Sequence, residues 1–294
     1  MSTSRWFRNL DAYLFLVPVV VILLGLLVFP LFYTIQTSFS SFDTRTFSTD
    51  SYVGFRNYVR VLNDANFWAS LRVTAIYLVG ALSLQMVLGV AIAFLVAVDW
   101  PGSKIVRASL LIPLVVAPVV AGSVWKTLLD PLWGYVNYLI TSVGGQAVMW
   151  LSDANLAMVS IIVIDTWRWT PFIILIVLAG IMSLDLETLE AARIDGANWW
   201  QSFWHVQLPL LGPVILAAFV VRWLGAIKMF DIIFASTRGG PGSATEVVNL
   251  FIYETAFRSL AFDRSAAMAI LTVIGALVLT FVFVRITNAL ERRL

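Results

Sequence analysis

Apolar and polar positions alternate in long blocks along the chain. Apolar runs cover Ala12 to Phe32, then about Leu71 to Val98, Val106 to Leu129, Leu156 to Ile181, Val214 to Phe234 and Ser265 to Arg285. About 20 apolar residues suffice to cross a bilayer, so each run predicts a membrane helix: six spans with both ends on one side. A signal peptide is the competing reading of the first run. It is set aside because the run is too long for a signal core and no small-x-small cleavage site follows. The third run holds Pro113, Pro118 and Gly122, which a membrane helix tolerates where neighbours satisfy the freed carbonyls. The stretch from Tyr33 to Ser70 reads as a polar loop.

One polar interruption organises the rest: Glu187 to Pro209, between the fourth and fifth runs. It is too polar for lipid and too rich in helix formers for a plain loop. Two short helices are predicted. The first runs from about Asp185 to Asp195, with acids in its first turn where the helix dipole favours them. Gly196 ends it. Asn198 caps the second, on which Trp200, Phe203 and Trp204 form an aromatic face. Pro209 and Pro213 end this helix and start the next span.

Glu190-Ala191-Ala192, Asp195-Gly196-Ala197, Phe203 and Leu208-Pro209 resemble the coupling motif of the membrane subunits of ATP-driven bacterial importers, the ABC importer permeases. Glu-Ala-Ala alone is weak; joined to Asp-Gly-Ala and Leu-Pro between membrane spans, it is specific. In that family these helices lie in a cleft of a separate ATPase subunit. Trp199, Trp200, Trp204 and His205 are bulkier than the pattern and leave the choice of ATPase open. Further segments resemble carbohydrate-type subunits (the maltose and glycerol-phosphate type). They are Val53 to Val59, Asn66 to Leu71, a pattern through Arg107, Leu111, Pro113, Pro118, Trp125, Pro131, Gly134 and Asn137, and Gly239-Gly240-Pro241 with Ala244-Thr245-Glu246 and Phe257.

Composition agrees with a membrane class. The 294 residues are 60% hydrophobic and 12% charged, with a mean hydropathy of +0.90. A net charge of +2 gives no argument for nucleic acid, and the absence of cysteine excludes disulfides and thiolate ligands. One histidine, His205, cannot form a histidine metal cluster, and no metal site is expected. The chain has no Gly-x-x-x-x-Gly-Lys-[Ser/Thr] phosphate loop, so it is not read as an enzyme. ATP and Mg would be bound by a partner chain, and no cofactor by this one.

Charged residues inside the spans need a reason. The fourth run carries Asp165, Trp167, Arg168, Trp169, Thr170 and Phe172; the fifth carries Arg222, Lys228, Met229 and Asp231. Sugars need aromatic platforms and hydrogen-bonding groups. The resemblance to maltose-type subunits implies that Asp165, Arg168, Trp169 and Phe172 line a solute path, with Leu114, Pro118 and Met229. Trp167 joins them as a second aromatic platform. The alternative is structural: Asp165 and Arg168 pair with each other or with Asp231, and the aromatics pack. An unpaired Arg168 would point to an anionic solute. Gln85 is placed to hydrogen-bond a neighbouring helix; Arg222 and Lys126 read as structural or snorkelling.

The expected fold is all-α and integral to the membrane: six transmembrane helices of the type I ABC importer fold with a cytoplasmic coupling helix. Residues 1–70 form a tail, first span and outer loop, residues 71–286 the transmembrane domain with its coupling loop at 185–213, and residues 287–294 a tail. The resemblance implies a second homologous permease subunit in a heterodimer, two ATPase subunits and an extracytoplasmic solute-binding protein. It places the chain in a bacterial inner membrane with both termini cytoplasmic. Lys/Arg counting supports that orientation modestly: Arg5, Arg8, Lys104, Arg107, Arg193, Arg285, Arg292 and Arg293 inside against Arg45, Arg56, Arg60, Arg72, Arg238, Arg258 and Arg264 outside. The alternative functional class is an ion-coupled secondary carrier with Asp165 and Arg168 as coupling charges.

Overall fold

The computed structural model describes residue 14 and residues 16–291, and side chains only as far as residue 285. Arg5, Arg8, Arg292 and Arg293 lie outside the described residues. Among the described residues four helices are long and apolar enough to cross a membrane, or up to six if each of two bent pairs counts as one span.

Contact density divides the chain into two units: the residues up to Phe67 with Ile252–Val282, and Trp68–Phe251 with Phe283–Leu294. In the first unit α1 (Leu16–Ser38) has none of its apolar window covered by its own chain, as expected of a helix hydrophobic all round. It contains a π-turn at Leu24–Val28 and runs past the expected Phe32. Its last turns are held by Thr34 and Ser38, whose hydroxyls donate back to the carbonyls of Pro30 and Ile35. The expected loop that follows is a folded hairpin, β1 (Ser40–Asp43) and β2 (Ser48–Tyr52), antiparallel with Phe42 opposite Thr49. Then comes α2 (Arg56–Leu62), whose Asn57 donates to the carbonyls of Ser38 and Ser40 and so ties the hairpin down. The last helix of the chain is called α13 here (Phe262–Glu291); it runs on past Arg285 into the expected tail. Arg264 on it pairs with Asp64.

The second unit is built on α3 (Ala65–Ala97) and α7 (Ala154–Met182). Between them in sequence lie α4 (Ser103–Val115), α5 (Pro118–Leu128) and α6 (Tyr135–Ser142). After α7 come α8 (Leu186–Ile194), α9 (Trp199–Leu210), α10 (Gly212–Ala226), α11 (Asp231–Ser236) and α12 (Val248–Phe257). Ala93 and Val96 of α3, Ile173, Ile174, Val177 and Leu178 of α7, and Ala218 of α10 form a buried apolar core.

Two spans differ from the straight helices expected. The third is broken: α4 and α5 meet at 99°. Pro118 disfavours helical geometry in the residue before it, and both Val116 (ψ 127°) and Ala117 (ψ 139°) are extended. The fifth is interrupted between Ala226 and Asp231, and α10 itself leaves α9 at 62°. The short helices beyond the two interruptions pack tightly. A Cβ on Gly122 of α5 would lie 2.8 Å from the carbonyl oxygen of Ile232 and 2.9 Å from Cβ of Ala235, both on α11.

Candidate functional site

The polar stretch between α7 and α10 folds as a capped helix pair. Asp185 caps α8, accepting from the amide of Glu187 at 3.1 Å. At the far end Gly196 takes φ +83°, a conformation that L side chains resist. Its amide donates to Arg193 and that of Ala197 to Ala192, each at 3.0 Å, which satisfies carbonyls the helix end would leave open. Two residues on, Asn198 and Gln201 exchange side-chain to backbone hydrogen bonds of 2.8 and 2.9 Å, a capping box that starts α9. α9 passes through a π-turn at Phe203–Gln207 and ends at Leu210, and the break before α10 falls between Pro209 and Pro213, as expected. Glu190, Ala191, Asp195, Gly196 and Pro209 are exposed; Ala192, Ala197, Phe203 and Leu208 are half-buried. Phe203 packs edge-on against Phe94 of α3, ring centroids 4.8 Å apart. Trp199, Trp200 and Trp204 surround it and stay exposed. Phe203 thus holds the pair against α3, while the polar face of the pair stays open.

The second candidate region is a hydrogen-bonded cluster inside the helix bundle. Asp165 on α7 forms an ion pair with Arg222 of α10. Its Oδ2 also accepts from the hydroxyl of Tyr77 and from Nε2 of Gln85, both on α3 and both at 2.8 Å. Arg222 in turn donates through Nε to Oε1 of Gln85 at 2.7 Å. None of the four residues is more than 2% exposed. A buried charge pair is tolerable only when further hydrogen bonds saturate it, and this one has them. The cluster therefore bolts three spans together.

This arrangement rules out the alternative in which Arg168 pairs with Asp165 or Asp231. Arg168 is the next charge on α7, but its Nε donates to the carbonyl of Val116 at 2.9 Å, the point where the third span is broken. Among the described residues Arg168 forms no ion pair. Its guanidinium carbon lies 4.9 Å from the ring centre of Trp169, and that of Arg222 lies 4.7 Å from the same ring, so Trp169 joins both cations. Asp231 sits exposed in the first turn of α11. The second interruption is held in the same manner: Nδ2 of Asn249 on α12 donates to the carbonyls of Ile227 and Met229, at 2.9 and 3.2 Å.

Of the residues expected along a solute path, Asp165, Arg168, Trp169 and Phe172 share one side of α7, and Trp169 and Phe172 meet edge to face at 5.9 Å. Leu114 and Pro118 flank the break that Arg168 caps. Met229 lies in the second interruption, its side chain buried. Trp167 departs from the group: it packs against Trp125 at 5.6 Å and lines a different groove with Thr166 and Thr170. Sequence reasoning read Arg222 as structural without naming its partner, and missed the roles of Tyr77 and Asn249. Arg222 is a charge within an apolar run, a signal of pairing that names no partner; Asn249 lies between the fifth and sixth runs and gives none. Tyr77 gives no signal of its own. Among the described residues no three of His, Cys, Asp and Glu are grouped to hold a metal ion.

Residues 85–294 match the family model described as the binding-protein-dependent transport system inner membrane component. A probable ABC transporter permease protein of Sinorhizobium fredii, y4oQ, is 38% identical over 281 residues, covering 95% of this chain and 88% of that protein. The trehalose/maltose transport system permease protein MalF of Thermococcus litoralis is 32% identical over 275 residues, 93% of this chain and 92% of its own length. The fold matches a chain of a bacterial ABC transporter involved in the import of the acidic polysaccharide alginate, with a TM-score of 0.86 over 99% of this chain and 98% of that one, at 22% identity. The chain belongs to the family of binding-protein-dependent transport system inner membrane components; it is a multi-pass transport component of the inner membrane and has the fold of an ABC transporter permease.

Proposed function

We propose that this inner-membrane component is one permease subunit of an ATP-driven importer that takes up a sugar or sugar-like solute. The observation that carries the reading is the capped helix pair α8–α9, a polar and exposed unit set between apolar crossings. Glu190, Ala191, Ala192, Asp195, Gly196, Ala197, Phe203, Leu208 and Pro209 would contact a partner ATPase, which binds ATP and Mg; this chain has no phosphate loop of its own. Two such ATPase chains, a second homologous membrane subunit making a heterodimer, and an extracytoplasmic binding protein complete the assembly. The coupling loop at 185–213 and both termini are cytoplasmic, and residues 71–286 form the translocation domain. Residues 1–70 and 287–294 flank it.

The solute class rests on relatives whose names specify trehalose, maltose or sulfoquinovosyl glycerol. Arg168, Trp169 and Phe172 on α7, with Leu114, Pro118 and Met229 at the two interruptions, offer aromatic and polar surface where crossings lose their regular helix. Asp165 supports this surface through its ion pair. ATP-driven closure of the ATPases draws the α8–α9 pairs of the two membrane subunits together and turns the cavity outward, where the binding protein releases its solute. Reconstituted complex tests the reading. Uptake into proteoliposomes should require ATP and the binding protein; uptake driven by an ion gradient without ATP would overturn it.

A further inference from the structure

Arg168 stands at the middle of α7, about 21 Å from either end at about 1.5 Å rise per residue, and is 9% exposed. Its Nε holds the carbonyl of Val116. Among the described residues its terminal nitrogens donate to nothing, and they are not sealed from the surface. The nearest neutraliser in sequence, Asp165, is already engaged: Arg222, Tyr77 and Gln85 converge on its Oδ2. At this depth α3, α7 and α10 carry two guanidinium groups, Arg168 and Arg222, against one carboxylate. Lys228 and Asp231, both exposed at the second interruption, offset each other. One positive charge is left over where charge is costly and marks a solute path. Resting on the reading of this chain as a permease subunit for sugar-like solutes, we propose that the solute is an anionic sugar bearing a carboxylate or sulfonate, and that the terminal nitrogens of Arg168 take this group as it passes.

Geometry and depth select the anion. With Nε engaged, the two terminal nitrogens form an end-on fork that matches two oxygens of a carboxylate or sulfonate. A phospholipid phosphate offers similar oxygens but is held at the headgroups, outside a hydrocarbon core about 30 Å thick. The hydroxyl of a neutral sugar accepts a hydrogen bond and brings no charge. Trp169 and Phe172, edge to face on the same side of α7, give the apolar face of a sugar ring a surface beside the fork. The anion must also leave. The Val116 carbonyl and the ring of Trp169, 4.9 Å from the guanidinium carbon, remain with the cation in an empty path, so release does not leave it bare.

The test treats the purified complex with phenylglyoxal, which modifies accessible guanidinium groups, and reads Arg168 by peptide mass spectrometry. Without solute Arg168 should react. Glucuronate should suppress the reaction, and glucose at equal concentration should leave it unchanged. An unreactive Arg168 would mean that a carboxylate of another subunit holds it. Equal protection by both sugars, or by neither, would remove its charge from solute choice. Either result overturns the proposal. In proteoliposomes with the binding protein, Arg168→Gln keeps a donor for Val116 and loses the charge. It should lower uptake of uronides relative to neutral glycosides by about tenfold, and Arg168→Lys should restore much of that ratio. Equal loss for both classes confines Arg168 to holding Val116 and defeats the proposal. Uptake that proceeds without ATP defeats the importer reading itself; ATP-driven uptake of neutral glycosides alone leaves that reading standing and defeats this inference.

Discussion

Arg222 and Asp165 meet across two spans with each side chain 1% exposed. Removing either partner strands a charge in the bundle. Arg222→Met or Asp165→Leu alone should therefore destabilise the protein by about 3–5 kcal/mol. The paired replacement leaves no stranded charge and should recover much of that loss. Thermal unfolding of the purified protein in detergent measures both. A double variant no better than either single would mean that the pair acts through something other than mutual neutralisation.

The carbonyl of Val116 depends on Arg168, and those of Ile227 and Met229 on Asn249. Arg168→Met and Asn249→Leu should each cost about 1 kcal/mol for half-buried acceptors left open. Arg168→Lys, which retains a donor, should cost less. Uptake should fall more than stability, because the interruptions carry Leu114, Pro118 and Met229. Comparing melting temperature with transport rate in one variant series separates the two effects.

Gly122 leaves room only for hydrogen against Ile232 and Ala235. Gly122→Val should push α5 from α11 and cost about 1–3 kcal/mol by overpacking. Complex assembly should persist while solute uptake drops, as read by co-purification and uptake on the same preparation.

Gly196→Ala addresses the helix pair α8–α9. At φ +83° an added Cβ costs about 1–2 kcal/mol. The space around the position is open, so the loss is one of backbone geometry. The expected outcome is a complex whose ATPase activity no longer responds to loaded binding protein. Full coupling in this variant would free Gly196 from the role assigned to it.

Much of this was legible in the sequence, and the rest was hidden for identifiable reasons. The spans follow from apolar runs, and the caps at Asp185, Gly196 and Asn198 from local chemistry, because both are written within a few residues. The hairpin was not, since Ser48 to Tyr52 lacks the apolar alternation that marks a strand. Pro118 signalled the break in the third span, yet unbroken hydrophobicity argued for one helix. The interruption at Ile227–Phe230 carries no proline at all; it is held by Asn249, from another helix. The partner of Asp165 was likewise invisible. Local reasoning favours Arg168 three positions on, while the packing of α3, α7 and α10 supplies Arg222.

The two interrupted crossings have a mechanical consequence. Inside an uninterrupted helix, bending shares its cost over several neighbouring backbone bonds, so the rod resists as a whole. At Val116 and at Ile227 the carbonyl is instead held by a side chain reaching over from another helix. Each crossing thus behaves as two stiff rods with a latch between them, and re-aiming one rod must release that latch as well as the packing of α5 on α11.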